Sequence, residues 1–338
     1  MPLMLASLLA CNNASSTTKI TFSSDSKNCR LIYNGIDCPI GHSISIPAEV
    51  DVTLTIESNQ DYLPIFESNV HIDDAQSYSF NLSKKEITVK VTKNKKCVIK
   101  ANAETPRENL EAYSWPEISQ LSKMELANKY FEVGEEKTVK VNNLDHKVRI
   151  IEFSHDDLAD GTGRAGITFE FANVITDSNG AVLLYWNINE PKVNAPKNYN
   201  FPGSTLNDFL NKNDDCVFNK LPKPLHDAIR EVNKKVGMGS EYSTNESYQT
   251  KLFPLAHDEI FDHVNGTPND EGTKYLYFQN GGSTIKTPVD KRAEDYWLRS
   301  PYTGYTYRAW CINYFGNPGN NDINVEKYMH AVAPAFCI

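Results

Sequence analysis

The C-terminal segment of this 338-residue chain lies between two apolar blocks, Tyr296-Trp297-Leu298-Arg299-Ser300-Pro301 and Ala333-Pro334-Ala335-Phe336-Cys337-Ile338. We interpret the two blocks as apolar anchors, and the run that contains Cys337 is strand-like. We expect Trp297, Pro334 and Phe336 to belong to the scaffold. Arg299 is expected to bond carboxylate or backbone oxygens near the start of the segment. The residues between the blocks should therefore be held by the core at both ends.

The composition between the blocks differs from that of a packed core. Tyrosine and tryptophan offer stiff contact area and asparagine offers adaptable hydrogen bonds, as in the loops of binding proteins. The alternative is an irregular loop region that only covers a sheet. The candidate ligand-binding residues are Tyr302, Tyr305, Tyr307, Trp310, Asn313, Tyr314, Asn317, Asn320 and Asn321.

The charge of the chain limits its partners. It has 43 acidic and 34 basic residues, which gives a net charge of −9 at pH 7. Binding to nucleic-acid phosphates needs a basic face, so no nucleic-acid partner is expected. No apolar run has the length of a membrane span.

The N-terminal part has the pattern of an all-β domain. Val52, Leu54 and Ile56 alternate with polar residues, which places apolar side chains on one face of a strand. Turn clusters such as Tyr33-Asn34-Gly35 separate short strands of this kind. We predict a small Ig-like β-sandwich over residues 19–103 that acts as a stalk.

The start of the chain indicates a lipid anchor. Leu8-Leu9-Ala10-Cys11 has the form of a bacterial lipobox, in which Cys11 is the lipidation site. The Ser/Thr/Asn-rich residues that follow are typical of a flexible tether. We therefore interpret residues 1–18 as signal and tether, and expect a bacterial cell-surface protein that meets the membrane only through its lipid.

The rest of the chain predicts an α+β domain over residues 114–338, after a linker at 104–113. Ser114 and Glu117 have the spacing of a capping box, and the helix they begin should end near Asn128. Two more helices are expected, after Ser204 and after Pro222. The predicted strands are Thr138–Val141, Lys147–Phe153, Ala165–Phe171 and Lys251–Leu255.

Several blocks taken together resemble the bacterial family called domain of unknown function 6273, over roughly residues 113–338. The blocks that carry the resemblance are Ser114-Trp115-Pro116-Glu117-Ile118, Tyr130-Phe131-Glu132-Val133-Gly134-Glu135, Ile150–Asp157, Asp160–Phe169, Lys251–Leu255, Trp297–Pro301 and Ala333–Cys337. The resemblance implies a C-type lectin-like fold, in which helices flank a small antiparallel sheet and the C-terminal segment forms the ligand face. In some related proteins a diversity-generating retroelement varies that segment. This context favours a face that binds an extracellular protein or glycan over a passive cover.

Two other groups of residues offer weaker candidates. Asp156, Asp157 and Asp160, beside two glycines, can supply oxygen ligands to Ca²⁺ or can simply form a turn; we favour the turn and expect no metal and no cofactor. His257 and His263 lack the spacing of a zinc helix and are expected to be ordinary surface or loop residues.

The seven cysteines do not form a disulfide framework in this interpretation, and buried free thiols are expected. A third, enzymatic hypothesis comes from the formylglycine-generating relatives, whose site has paired thiols. Only Cys311 and Cys337 could supply such a pair, and neither has the setting of a reactive thiol. We predict that the chain is not an enzyme. An architectural adhesin or envelope module without a ligand site is the main alternative to a binding protein.

Overall fold

A computed structural model describes residues 16–188, 200–237, 245–288, 292–303, 307–322 and 328–338. The chain divides into two compact units, Met1–Pro106 and Arg107–Ile338. The division falls inside the segment predicted as a linker. That segment is not wholly irregular, because Leu110–Ala112 form a 3-10 turn in which Leu110 is buried. Among the described residues, no helix is long and apolar enough to cross a membrane.

The first unit consists of two β-sheets. One has four strands in the order β4-β1-β9-β6, and the other has five in the order β3-β2-β5-β8-β7. All pairs in the two sheets are antiparallel except β1 with β9. The strands are β1 Thr17–Phe22, β2 Cys29–Tyr33, β3 Ile36–Cys38, β4 Ser43–Pro47, β5 Asp51–Ser58, β6 Val70–Asp73, β7 Ser77–Asn81, β8 Glu86–Lys90 and β9 Lys96–Ala101. The described part of this unit also contains two 3-10 turns, Glu67–Asn69 and Leu82–Lys84.

Both sheets contribute to one hydrophobic core. Val52, Leu54 and Ile56 of β5 are buried there, as their alternation predicts. The predicted turn after Tyr33 is also confirmed, because Asn34 and Gly35 both take positive φ between β2 and β3. Strand β1 begins at Thr17, so the predicted tether is too long at its C-terminal end.

The helices of the second unit are short. Helix α1 begins with the predicted capping box of Ser114 and Glu117, but it ends at Lys123 rather than near Asn128. Glu125 takes a positive φ of 57°, which interrupts the helical hydrogen bonding before a second short helix. The helices are α1 Trp115–Lys123, α2 Ala127–Tyr130, α3 Thr205–Asn207, α4 Lys223–Ala228 and α5 Leu276–Gln279; a π-helical turn, Asp208–Lys212, continues α3, and 3-10 turns lie at Phe201–Gly203, Phe218–Lys220 and His257–Glu259.

The central sheet of the second unit has five antiparallel strands in the order β10-β11-β12-β21-β17. Its strands are β10 Glu136–Val141, β11 Leu144–Phe153, β12 Ile167–Phe171, β17 Leu252–Phe253 and β21 Ala335–Cys337. The C-terminal strand β21 lies inside this sheet, and Phe336 stacks on Phe169 with ring centroids 5.2 Å apart. Ser122 of α1 donates to the Ile338 carbonyl at 2.5 Å. The second apolar block is therefore scaffold, as predicted.

The described part of the unit contains three further antiparallel groups of strands. The sheet β18-β19-β20 contains the first apolar block and much of the Tyr/Asn-rich segment. The sequence did not predict the hairpin of β15 and β16, because Lys234 lies on the buried face of β15 between Val232 and Val236 and breaks the apolar alternation. The strands are β13 Thr176–Asp177, β14 Gly180–Ala181, β15 Val232–Gly237, β16 Asn245–Thr250, β18 Tyr296–Pro301, β19 Arg308–Ile312 and β20 Pro318–Asp322.

Candidate functional site

The turn between β19 and β20 displays two aromatic rings. Tyr314 is 51% exposed and Phe315 is 65% exposed, and their ring centroids lie 4.1 Å apart. Ile285, which is 45% exposed, lies against the next residue of the turn, Gly316. We call Tyr314, Phe315 and Ile285 the aromatic tip. Large apolar side chains that cluster at the surface in this way mark contact sites more often than isolated ones do.

The side chain of Asn313 fixes the turn that carries these rings. Its Oδ1 accepts hydrogen bonds from the backbone N–H of Phe315 at 2.9 Å and of Asn317 at 3.1 Å. The backbone adds bonds from Asn313 N to the Asn317 carbonyl and from Gly316 N to the Asn313 carbonyl. Asparagine is suited to this role because its short amide can bond the backbone two residues further on. The backbone that carries the rings is thus fixed in the free protein.

Residues of neighbouring loops form hydrogen bonds to the backbone of the turn. Asp295 Oδ1 accepts from Tyr314 N at 2.8 Å, and Thr284 Oγ1 donates to the Gly316 carbonyl at 2.7 Å. Gly316 has a φ of 84°, and a Cβ there would lie 2.6 Å from Thr284 Oγ1. Glycine is required at this position by both its backbone conformation and the close approach of the loop.

Two of the predicted ligand-binding aromatics point inward instead. Trp310 is only 6% exposed, and its indole Nε1 donates to the Gly266 carbonyl at 2.9 Å. The Tyr302 ring packs against Trp310 with centroids 5.3 Å apart, and it is half-buried. The expectation that Trp310 belongs to an exposed face is corrected: Ala309 to Ile312 of β19 are all buried, and the indole N–H is satisfied by a backbone carbonyl in the interior.

Of the other predicted contact residues, some are exposed and others are half-buried and hydrogen-bonded. Tyr307 and Asn317 are exposed. Asn320 and Asn321 are half-buried and bonded: Asn320 Oδ1 accepts from Arg308 at 3.3 Å, and Asn321 Nδ2 lies 2.9 Å from His330 Nε2. Tyr305 lies outside the described residues, as does the predicted lipidation site Cys11.

A buried network of charges supports β18 from below. The Arg299 side chain is fully buried and forms a two-pronged pair with Glu259, at 2.5 and 2.8 Å. It also donates to the carbonyls of Lys235, Pro254 and Glu271. The predicted role of Arg299, to bond carboxylate and backbone oxygens near the start of the segment, is confirmed.

Glu271 is the member of this network that titrates near neutrality. Burial raises its pKa to about 7, against the opposing effects of Arg299 and of a hydrogen bond from Ser300. Ser300 Oγ donates to Glu271 Oε2, and Gly237 N donates to Oε1 at 2.8 Å. A second buried group, Lys286, donates to Glu170 at 2.7 Å, and burial lowers its pKa to about 8.

The acidic run beside two glycines does not converge on one point. Asp156 is buried and bonds Lys234, whereas Asp157 and Asp160 are exposed and pair with Arg164 and Arg230 respectively. Asp160 also accepts from Thr162 within its own turn. Within the described ranges, no three His, Cys, Asp or Glu side chains are grouped to hold a metal ion.

Of the two histidines predicted to be ordinary surface or loop residues, His257 is in the core. His257 is 1% exposed, lies 4.4 Å from the Trp310 ring, and donates its backbone N–H to Ser300. The prediction for His257 is wrong, because the 3-10 turn it begins packs under β18. His263 is exposed, as predicted.

The six described cysteines are buried and free, as predicted for thiols. Burial raises the pKa of Cys311 to about 12, and it raises that of Cys337 as well. These thiols are therefore protonated at neutral pH.

Two members of the aromatic tip were missed by the sequence analysis. Phenylalanine has no polar group and is typical of a core, so composition did not single out Phe315. The signal for Phe315 was the run of Asn313, Tyr314 and Gly316 around it, which predicts a turn rather than a buried strand. No local signal in the sequence pointed to Ile285.

Comparison with known proteins gives a family match for the C-terminal part of the chain. Residues 178–338 match the model of the family described as Domain of unknown function (DUF6273). This match supports the resemblance seen in the sequence for the C-terminal part of the chain. No curated protein and no solved structure matches the chain.

Proposed function

We propose, from the family match over residues 178–338 and the geometry of the aromatic tip, that this chain is a bacterial surface protein that binds an extracellular protein or glycan. The observation that carries the proposal is the exposed pair of Tyr314 and Phe315 on a turn fixed by Asn313. Rigid aromatic side chains lose little entropy on binding, so a preorganised pair is an efficient anchor.

A protein ligand suits the tip better than a glycan does. Phe315 has no polar group, and Ile285 extends the same apolar surface, whereas sugars need several directed hydrogen bonds as well as a ring to stack on. Projecting aromatics of this kind typically fill an apolar pocket on the partner. Tyr307 and Asn317 supply further exposed contact residues on the segment.

The proposed architecture of the second unit is C-type lectin-like. Its short helices accompany an antiparallel sheet, and its C-terminal segment reaches the surface at the aromatic tip before returning to the sheet as β21. The first unit, with two sheets around one core, supports an Ig-like spacer.

The same segment is proposed as the target of a diversity-generating retroelement. The support is the contrast between its fixed ends, where Trp297 and Phe336 are fully buried, and the exposed Tyr307, Tyr314 and Asn317 between them. A reverse transcriptase gene and a near-copy of this coding segment beside the gene are expected. A genome that lacks both would leave a binder of fixed specificity.

A lipid anchor at Cys11 is proposed to hold the protein on the cell surface, on the strength of the lipobox-like Leu8-Leu9-Ala10-Cys11. Labelled fatty acid is expected to enter the protein, and Cys11→Ser is expected to abolish the labelling. Equal labelling of both proteins would contradict the anchor.

Binding is tested on two arrays, one of purified extracellular proteins and one of glycans. The wild type is compared with the double variant Tyr314→Ser/Phe315→Ser and with Tyr78→Ser, which removes an exposed aromatic from the first unit. Binding to one or more array members should be lost in the double variant and kept in Tyr78→Ser. If no member binds the wild type better than the double variant, the aromatic tip is not a binding site and the segment is architectural.

A further inference from the structure

Three side chains with complementary reactivity meet in the core of the second unit. Lys234 Nζ lies 2.6 Å from Asp156 Oδ1 and 2.6 Å from Glu259 Oε1. The exposed fractions of the three side chains are 4%, 3% and 0%. The Phe253 ring covers the amine, with its centroid 4.5 Å from Nζ. An amine and a carboxyl group are thus held in contact, away from water.

We propose that Lys234 and Asp156 form an intramolecular amide bond, which covalently joins the loop after β11 to strand β15. The bond forms between Lys234 Nζ and Asp156 Cγ, and the C–O bond to one carboxyl oxygen of Asp156 breaks. One water molecule leaves, and no oxidant, cofactor or other reactant is required. This cross-link is independent of the proposed binding at the aromatic tip.

Asp156 is surrounded by donors that can stabilise the intermediate of this reaction. When Nζ attacks Cγ, negative charge develops on Oδ2. That oxygen accepts from Thr168 Oγ1 at 2.6 Å and from the Cys337 thiol at 3.4 Å. Donors fixed in advance around a developing oxyanion are a large source of rate acceleration in acyl transfer.

The Tyr275 hydroxyl bridges the two reacting groups and can relay a proton. It accepts from Lys234 Nζ at 3.0 Å and lies 3.1 Å from Asp156 Oδ1. One proton passes directly from Nζ to Oδ1, and a second passes through Tyr275, so that Oδ1 leaves as water and one proton stays on the amide nitrogen. Glu259, 2.6 Å from Nζ, stabilises the positive nitrogen of the intermediate.

The electrostatics of the core favour the product. Burial opposes ionisation of Asp156, but Lys234 and Thr168 outweigh it and lower its pKa, so the reactants begin as an ion pair. Amide formation removes both buried charges at once, and with them the cost of keeping two ions away from water. Glu259 keeps its two-pronged pair with Arg299, so no unpaired charge is left in the core.

The test is the mass of the purified, denatured full chain, made with Cys11→Ser in every protein compared, the wild type included, so that the proposed lipidation does not change the mass. The wild type is expected to weigh less than its sequence by one water molecule, and protease digestion should give a linked pair of peptides that contain Asp156 and Lys234. Lys234→Arg keeps the positive charge but lacks a primary amine, so it should have its full sequence mass. Lys235→Arg, a change at the exposed neighbouring lysine, should retain the loss of water.

Either of two results overturns the proposal: a wild type with its full sequence mass and separate peptides, or a loss of water that maps to other residues. This readout does not depend on whether the variants fold, because the wild-type mass alone decides it. Tyr275→Phe then tests the relay, and should lower the cross-linked fraction. A fully cross-linked Tyr275→Phe chain would contradict the role of Tyr275.

Discussion

The Arg299 side chain connects β18 to the buried residues beneath it, and we expect its removal to cause a large loss of stability. Removing it leaves the buried Glu259 carboxylate without its two-pronged partner. We expect Arg299→Met to lower the free energy of unfolding by about 3–5 kcal/mol, as for other broken buried pairs. Urea denaturation monitored by tryptophan fluorescence measures the loss.

The matched control for this prediction is Arg308→Met. Arg308 pairs with Asp322 at 3.0 Å, but both side chains are partly exposed. Pairs of that kind contribute less than about 1 kcal/mol, because water and salt screen them. Equal losses of stability in the two variants would contradict the structural role assigned to Arg299.

Glu271 makes stability depend on pH near neutrality. Its pKa is raised to about 7 from 4.5, so between these values the folded protein binds more protons than the unfolded chain. Glu271 therefore contributes fully to the free energy of unfolding below its pKa in the unfolded chain. This contribution is lost as pH rises through its pKa in the folded protein. The expected loss is up to about 3 kcal/mol.

The variant Glu271→Gln cannot titrate at this position. As pH rises from about 5 to about 8, the unfolding free energy of the wild type should therefore fall relative to that of Glu271→Gln. Urea titrations of both proteins at several pH values measure it. A difference that stays constant over this range would show that Glu271 keeps the same charge state throughout.

The surroundings of a single residue were predictable from sequence where its side chain has one common structural role. Arg299 in an apolar block needs oxygen acceptors, and Trp297 needs burial, and the structure provides both. Lys234 carried no such signal, because a lysine beside Lys235 in a polar stretch is usually solvated. Its partners Asp156 and Glu259 are distant in sequence, and only the fold brings them to it.

The turn between β19 and β20 depends on one side chain. Asn313→Ala removes the acceptor for two backbone N–H groups, and we expect it to destabilise the turn by about 1–2 kcal/mol. The amides of Phe315 and Asn317 should then exchange hydrogen faster. Asn317→Ala, an exposed change in the same turn, should leave the exchange of Phe315 unaltered. Protection that is the same in both variants would contradict the role of Asn313.

Elements were predictable where a local signal set their boundary. The capping box located the start of α1 at Ser114, and alternation located β5. The end of α1 was not predictable, because the left-handed conformation of Glu125 has no glycine or proline to announce it. Trp310 was misplaced for a related reason: composition identified the segment, but only the tertiary structure shows that β19 is buried on both faces.

The chain as a whole divides near Pro106, and this division can be tested by proteolysis. Glu104 and Glu108 are exposed on either side of the division. A glutamate-specific protease at low dose is expected to cut there first and to leave two stable fragments. Early cuts within the strands of the first unit, with no accumulating fragments, would contradict a division into two compact units.

The central claim is that the aromatic tip binds a partner outside the cell. The most direct measurement is the dissociation constant of the strongest protein from the array, for the wild type, Tyr314→Ser/Phe315→Ser and Tyr78→Ser. We predict that the double variant binds at least about 30-fold more weakly, as for an interface hot spot, and that Tyr78→Ser binds like the wild type. Equal dissociation constants for the wild type and the double variant would contradict the claim.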